Sequence, residues 1–230
     1  MSKVAVVLSG CGVFDGSEIH EAVGLLYHLS RAGAAYDCFA PDKDQAHVIN
    51  HAKGEEAAGE TRNVLVESAR IARGAIQPLA TLDASGYDAL FLPGGFGAAK
   101  NLCTFAFDGA ACSVDPDIER VIKAFHDAGK PVGCCCIAPV IPAKVLGTEA
   151  GGPGCAVTIG DDEGAAGAIA AMGSSNVVKP VTEAHVDASN NLVSAPAYMY
   201  GDAPIHEVID GIGAMVTSTL ARIGTPATGG

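Results

Sequence analysis

Tryptophan is absent from these 230 residues, and there are only seven phenylalanines and five tyrosines. A core built from this chain must be filled by Ala, Val, Ile and Leu, the side chains that let helices lie close on a sheet. Cations are scarce as well: 14 Lys and Arg stand against 26 Asp and Glu, a formal net charge of -12. Duplex nucleic acid is held by clustered Lys and Arg on its phosphates, and no basic run exists, so no nucleic-acid partner is expected. An anionic membrane is disfavoured for the same reason, and the apolar stretches are too short to span a bilayer. Two C-x-x-C pairs are lacking, so zinc is not expected, and no metal site is assigned. No basic segment followed by an apolar one opens the chain, so no secretory signal is visible. The expected setting is cytoplasmic, or an organelle matrix if a transit peptide has been removed.

What is present is a chain with 49% hydrophobic residues and eight cysteines. Three of these are consecutive (Cys134, Cys135 and Cys136), and neighbours on a strand cannot pair without strain. Reduced, mostly buried thiols are expected.

Along the chain, Lys3 to Leu8 is a β-branched run that ends in Ser9-Gly10-Cys11-Gly12, a buried strand meeting a loop. Asp15 to Glu18 has the form of a capping box. Ile19, Ala22, Val23, Leu26 and Leu29 then recur at helical spacing, and Gly33 closes the run. Further strands are expected at 36–40, 89–92 and 131–135, and near Val177, His185 and Val193. Helices are expected at 61–73, 115–128, from Ala138, at 161–172 and from Pro204 to about Arg222. A rim hairpin is expected near 47–51. Strands alternating with helices predict one α/β domain over 1–223, a mostly parallel sheet with helices on both faces. Residues 224–230 read as a disordered tail.

Ligands of such sheets bind outside the carboxyl ends of the strands. Cys136 stands at one of these ends in a small–x–nucleophile–x–small pattern, Cys134 to Ala138. That is the signature of a nucleophile elbow, a sharp strand-to-helix turn that crowds its neighbours. Pro139 suits the first turn of the following helix, whose N-terminus would favour the thiolate. Pro93-Gly94-Gly95-Phe96-Gly97 is no phosphate loop, since no G-K-[ST] follows. Beside an elbow, the Gly95 and Ile137 amides are candidates for an oxyanion hole. Glu18 and Glu21 lie three apart on one helix face. Glu18 is explained as the last member of the capping box, which leaves Glu21 as the acid/base candidate. Cys11, Glu18, Asn101 and His185 are further pocket candidates.

These segments resemble a known family. LSGCGVFDGSEIHEAV, CFAPDKDQAHVIN, TRNVLVESARI, PGGFGAAKNL and GCCCIAP look like the ElbB group of the ThiJ/PfpI superfamily, a glyoxalase-like group associated with isoprenoid biosynthesis. VTEAHVD, SAPAYM and DGIGAMV fit its mitochondrial animal relatives. The resemblance covers nearly the whole chain. It implies a flavodoxin-like three-layer sandwich of the class I glutamine-amidotransferase-like type, with Cys136 as nucleophile and the superfamily glutamate at Glu21. It also implies cofactor-free conversion of small aldehydes, glyoxal or methylglyoxal, to glycolate or lactate, and a homodimer. Two departures matter. Ile137 stands where protease-like members carry His, and no His-x-Glu pair follows as in true glutaminase domains. A redox or aldehyde sensor acting through a partner, or an amidase using the same cysteine, are the rival readings.

Overall fold

The computed structural model of the chain describes residues 1–225. Seven strands form the central sheet: β1 (Lys3–Val7), β2 (Ala35–Ala40), β3 (Ile76–Pro78), β4 (Ala89–Leu92), β5 (Val132–Cys135), β6 (His185–Asp187) and β7 (Leu192–Ala195). Their order across the sheet is β6-β7-β5-β4-β1-β2-β3, and every neighbouring pair is parallel except β6 with β7. The inner strands read as unbroken apolar runs because both faces are covered. Along β1, Val4, Val6 and Leu8 point to one layer and Ala5 and Val7 to the other, the two-residue period of a strand.

The first layer holds α1 (Ile19–Arg31), α2 (Val64–Ile71) and the last long helix, numbered α7 (Ile205–Ala221). It buries Ala22, Leu25 and Leu29 of α1 against Val208, Ile212 and Met215 of α7. Glycines let these two helices approach closely: a Cβ on Gly213 would fall 2.6 Å from the His28 ring. The second layer holds α4 (Pro116–Asp127), α5 (Val140–Val145) and α6 (Glu163–Ala171), reached through the short α3 (Phe96–Lys100). Its core includes Ile118, Ile122, Phe125, Val140, Ile141 and Ile169. The sheet and its two helical layers make the flavodoxin-like sandwich. The chain leaves β1 for β2 on one side and later for β4 on the other. The carboxyl ends of β1 and β4 therefore form the switch point where such folds open a crevice.

Several boundaries differ from expectation, each for a local reason. The helix expected from residue 61 begins at Val64, because Asn63 caps it by accepting the Val66 N–H at 3.0 Å. The helix expected from Ala138 begins at Val140, since 136–139 is spent on a turn. The rim hairpin pairs Ile49–Asn50 with Glu55–Glu56. The strand expected near Val177 is Ser175–Asn176, which pairs with Ala156–Val157 apart from the central sheet; the edge strand β3 and the short helix α3 were not foreseen. Of the tail expected over 224–230, residues 226–230 lie outside the described residues. Thr225 is fixed, accepting from Asn191 Nδ2 at 3.1 Å. Among the described residues no helix is long and apolar enough to cross a membrane.

Candidate active site

Strand β5 carries the candidate nucleophile, Cys136, at its end. Its final residue, Cys135, pairs with Ala195 of β7, and the Cys136 N–H makes one more rung to the Ala195 carbonyl at 3.0 Å. The chain then reverses: the Ala138 N–H returns to the Cys135 carbonyl at 3.1 Å. Cys136 is left at φ 59, a left-handed conformation that ordinary residues avoid. Cys134 and Ala138, two residues away on either side, are fully buried, so the crowding that demands small residues there is real. This is the strained elbow geometry that displays a nucleophile at a strand end.

Helix α1 supplies the partner. Glu21 is fully buried. Its Oε2 accepts from the Gly94 N–H at 3.0 Å and from the Cys135 thiol at 3.9 Å, its Oε1 accepts from the Tyr198 N–H at 3.2 Å, and the Cys136 thiol lies beside the same carboxyl group. Burial, and after it the charge of Glu18, push the Glu21 carboxyl up to about 7. The Gly95 and Ile137 amides both point at the Cys136 sulfur. Gly95 has φ 93, and a Cβ there would fall 2.3 Å from the Glu18 nitrogen, so only glycine fits. The structure thus brings Cys136, Glu21, Gly95 and Ile137 to one point.

Two expectations about this site need correction. Glu18 is not the last residue of a capping box begun by Asp15. It is itself the N-cap of α1, with Oε2 accepting the Glu21 N–H at 2.7 Å. Asp15 instead holds the rim hairpin by accepting the Ile49 N–H at 2.7 Å. Residues 10–17 are spent on docking the loop after β4: Glu18 N–H donates to Gly94, Phe96 N–H to Val13 and Gly97 N–H to Gly16. The second correction concerns the thiol. A resting thiolate was expected from a helix N-terminus. The helix, however, starts four residues later and is only six residues long. Burial, and then the Glu21 charge, raise the Cys136 thiol well above its ordinary value, and the Gly95 and Ile137 amides offset this only in part.

Cys136 opens into a cleft of about 450 Å³, with Glu18, Gly95 and Ile137 in its lining. Cys11, Asn101 and His185 are elsewhere. Cys11 faces α2, where burial and then Glu67 raise its thiol. Asn101 is a buried pin: its Nδ2 donates to the Ser9 and Asp15 carbonyls and its Oδ1 accepts from Ala46 N–H. It holds the Glu18 loop from behind. His185 lies on the edge strand β6, and its Nε2 is buried without a hydrogen-bond partner. The residue that sequence reasoning missed is Tyr198, whose amide orients Glu21. It follows Ala197, another non-glycine at positive φ (47), and strained backbone of this kind gathers at functional sites. The available signal was Ala195-Pro196, which ends the strand beside the elbow.

Gly94 carries a sharp expectation. A Cβ there would lie 2.4 Å from Cys136 Cβ and 2.7 Å from Glu21 Oε2, so Gly94→Ala must separate the two groups. Displacement of about 1 Å costs roughly a hundredfold in rate. A loss of that size in kcat/KM is expected, and a near-normal rate would show that the contact is not needed.

A doubly covered, mostly parallel sheet, a cysteine elbow at φ 59 and a buried carboxyl beside it define a class: α/β proteins of the glutamine-amidotransferase-like type. No family model matches the chain. It is, however, 55% identical over 232 residues to the human (Homo sapiens) "glutamine amidotransferase-like class 1 domain-containing protein 3, mitochondrial", covering 97% of this chain and 84% of that protein. A crystal structure of an isoprenoid biosynthesis protein with an amidotransferase-like domain from Ehrlichia chaffeensis superposes with a TM-score of 0.88 at 38% identity, covering 96% of this chain and 99% of that one. DJ-1beta of Drosophila melanogaster shares the fold alone, with a TM-score of 0.51 at 17% identity and 97% coverage of both chains. The chain belongs to the ElbB group of the ThiJ/PfpI superfamily.

Proposed function

We propose that the protein is a cofactor-independent, glyoxalase-like enzyme acting on α-oxoaldehydes through Cys136 and Glu21. The observation that carries this reading is a fully buried carboxyl set beside a cysteine at a strained elbow, with the Gly95 and Ile137 amides turned to the same sulfur; burial pushes that carboxyl up to about 7. A general base works best when its pKa lies near the operating pH. As Cys136 sulfur bonds to the aldehyde carbon, its proton passes to the Glu21 carboxylate. The carbonyl oxygen becomes an oxyanion against the Gly95 and Ile137 N–H groups, then takes that proton to give a hemithioacetal. Glu21 next removes the hydrogen on this carbon, sending its electrons to the adjacent carbonyl to give an enediolate, within which the hemithioacetal hydroxyl proton passes to the neighbouring oxygen. It returns the proton to the adjacent carbon, leaving a thioester that water hydrolyses to the hydroxy acid and free thiol. One carbon is oxidised and its neighbour reduced, so the substrate supplies both halves of the redox change and no cofactor is required.

Because Glu21 must be ionised to act, kcat/KM for glyoxal or methylglyoxal should rise with pH through about 7 and level off above it. Steady-state kinetics across that range, beside a Cys136→Ala control, test the reading. A pH-independent rate, or one that survives the control, overturns it. The sensor alternative is weaker, since redox-sensing thiols are exposed and readily ionised, and Cys136 is neither. For an amidase, no histidine lines the cleft among the described residues. A homodimer and an organelle-matrix setting remain part of the proposal. The first is tested by sedimentation. The second is supported by the human relative's mitochondrial name and by cysteines that are all free thiols.

A further inference from the structure

The cleft above Cys136 is much larger than glyoxal requires. Its 450 Å³ falls within the roughly 300–1,000 Å³ typical of pockets for drug-sized ligands. At about 30 Å³ per water molecule, it could hold on the order of fifteen waters. Its walls are mainly apolar, formed by Val13, Phe96, Phe105, Ile137, Ala165 and Met199. Excess apolar space beside a reacting atom is where binding energy for an apolar substituent comes from.

The charges are one-sided. The lining includes the carboxylates of Glu18 and Asp162, and among the described residues no lysine, arginine or histidine. The nearby basic groups have partners of their own: Lys100 lies over the Phe96 ring and donates to the Phe14 carbonyl, Lys144 donates to the Ala110 carbonyl, and the His20 Nδ1 bonds the Tyr198 hydroxyl at 3.1 Å, 3.8 Å from Glu18 Oε1. Two helix N-termini reach the cleft, and a helix N-terminus ordinarily attracts anions. Both are already occupied. Glu18 caps α1 through the Glu21 N–H, and Asp162 caps α6 through the Ala165 N–H at 2.7 Å. An incoming carboxylate or phosphate would meet two fixed negative charges and no cation lining the cleft. Over several ångströms, inside the Debye length, that repulsion is only partly screened by salt.

We propose that the Cys136 cleft selects uncharged or cationic carbonyl compounds bearing a branched aliphatic or aromatic group and turns away carboxylates and phosphates. This deepens the glyoxalase-like reading and rests on it for the word carbonyl. The selectivity itself belongs to the cleft and is measurable without turnover.

Three methanethiosulfonate reagents, benzyl (apolar), aminoethyl (cationic) and sulfonatoethyl (anionic), are applied to the full chain. The rate at Cys136 is followed by peptide mapping and divided by the rate with 2-mercaptoethanol. Sulfonatoethyl should be at least about tenfold slower than the other two, the equivalent of about 1.4 kcal/mol. The double variant Glu18→Gln/Asp162→Asn keeps both caps, since amide oxygens also accept the capping bond. It should raise the sulfonatoethyl rate relative to benzyl by about tenfold. Any effect on Glu21 is common to all three reagents and cancels in the ratio. Phe105→Ala should slow benzyl relative to aminoethyl. Equal normalised rates for benzyl and sulfonatoethyl, or ratios unmoved by the double variant, overturn the proposal. A second arm compares kcat/KM for phenylglyoxal, methylglyoxal and glyoxylate, with phenylglyoxal expected highest and glyoxylate lowest. If no dicarbonyl is turned over yet the labelling order holds, the catalytic reading falls and the selectivity stands. If dicarbonyls are turned over but labelling ignores charge, the reverse is true.

Discussion

Replacing Cys136 by alanine is expected to lower kcat/KM for α-oxoaldehydes by at least about a thousandfold, because the covalent step has no other nucleophile. The backbone makes a second, less ordinary result follow. Cys136 sits at φ 59, where an L-residue pays about 1–2 kcal/mol that glycine does not. Alanine keeps that strain and glycine releases it. At a common strand or helix position, glycine is about 0.5–1 kcal/mol worse than alanine. Here the order should invert, with Cys136→Gly more stable than Cys136→Ala and both inactive. Chemical denaturation of the two variants reads the difference directly. If glycine is the less stable, the elbow is not strained in solution.

The parts of this site that were legible in the sequence are those where local geometry restricts the choice of residue. β4 reads clearly, because Ala89–Leu92 is a short apolar run stopped by Pro93-Gly94-Gly95, and its bounds match. Cys136 reads clearly because an elbow needs small neighbours. β3 does not: three residues ending in Pro78 at a sheet edge leave no pattern. Glu21 was reached by eliminating Glu18, and the elimination used the wrong cap. Asp15-Gly16-Ser17-Glu18 has the letters of a capping box, yet Gly16 lies so close to the 10–11 backbone that a Cβ there would fall 2.2 Å from the Cys11 nitrogen. That close approach is made inside the loop after β1, which folds back on itself through Gly16 N–H to Gly12 and Gly12 N–H to Ser17 before it docks on residues 94–97. Cys11 and Asn101 misled for a related reason. Being near a strand end fixes where a backbone goes, and the loop then decides which way the side chain points. The thiolate expectation failed on burial, which sequence spacing does not report. Tyr198 orients Glu21 through its backbone N–H, a role that no side chain advertises.

Glu21→Gln should also abolish turnover, and its effect on stability should depend on pH in a way that identifies the carboxyl. Folding buries Glu21 completely and raises it from 4.5 to about 7. A carboxyl of this kind binds its proton more tightly in the folded chain than in the unfolded one. Its contribution to stability is therefore fully present below 4.5 and is lost progressively until about 7, after which no more is lost. The difference between those two values corresponds to about 3 kcal/mol. Glutamine does not titrate, so the variant lacks this slope. It also has one carbonyl oxygen for two amide donors, Gly94 and Tyr198, and leaving one of them unmatched costs about 1–3 kcal/mol at every pH. Below 4.5 the variant should be the less stable protein. Above 7 the two should be close, or the variant ahead, because the native chain then holds a buried charge. Subtracting the variant's unfolding free energy from the native one across this range removes every group the two chains share. The remainder should fall by about 3 kcal/mol as pH rises. A flat difference would mean that Glu21 titrates alike folded and unfolded, and a rising one that it is held ionised. Either result would remove the raised carboxyl on which the expected rise of kcat/KM through about 7 depends.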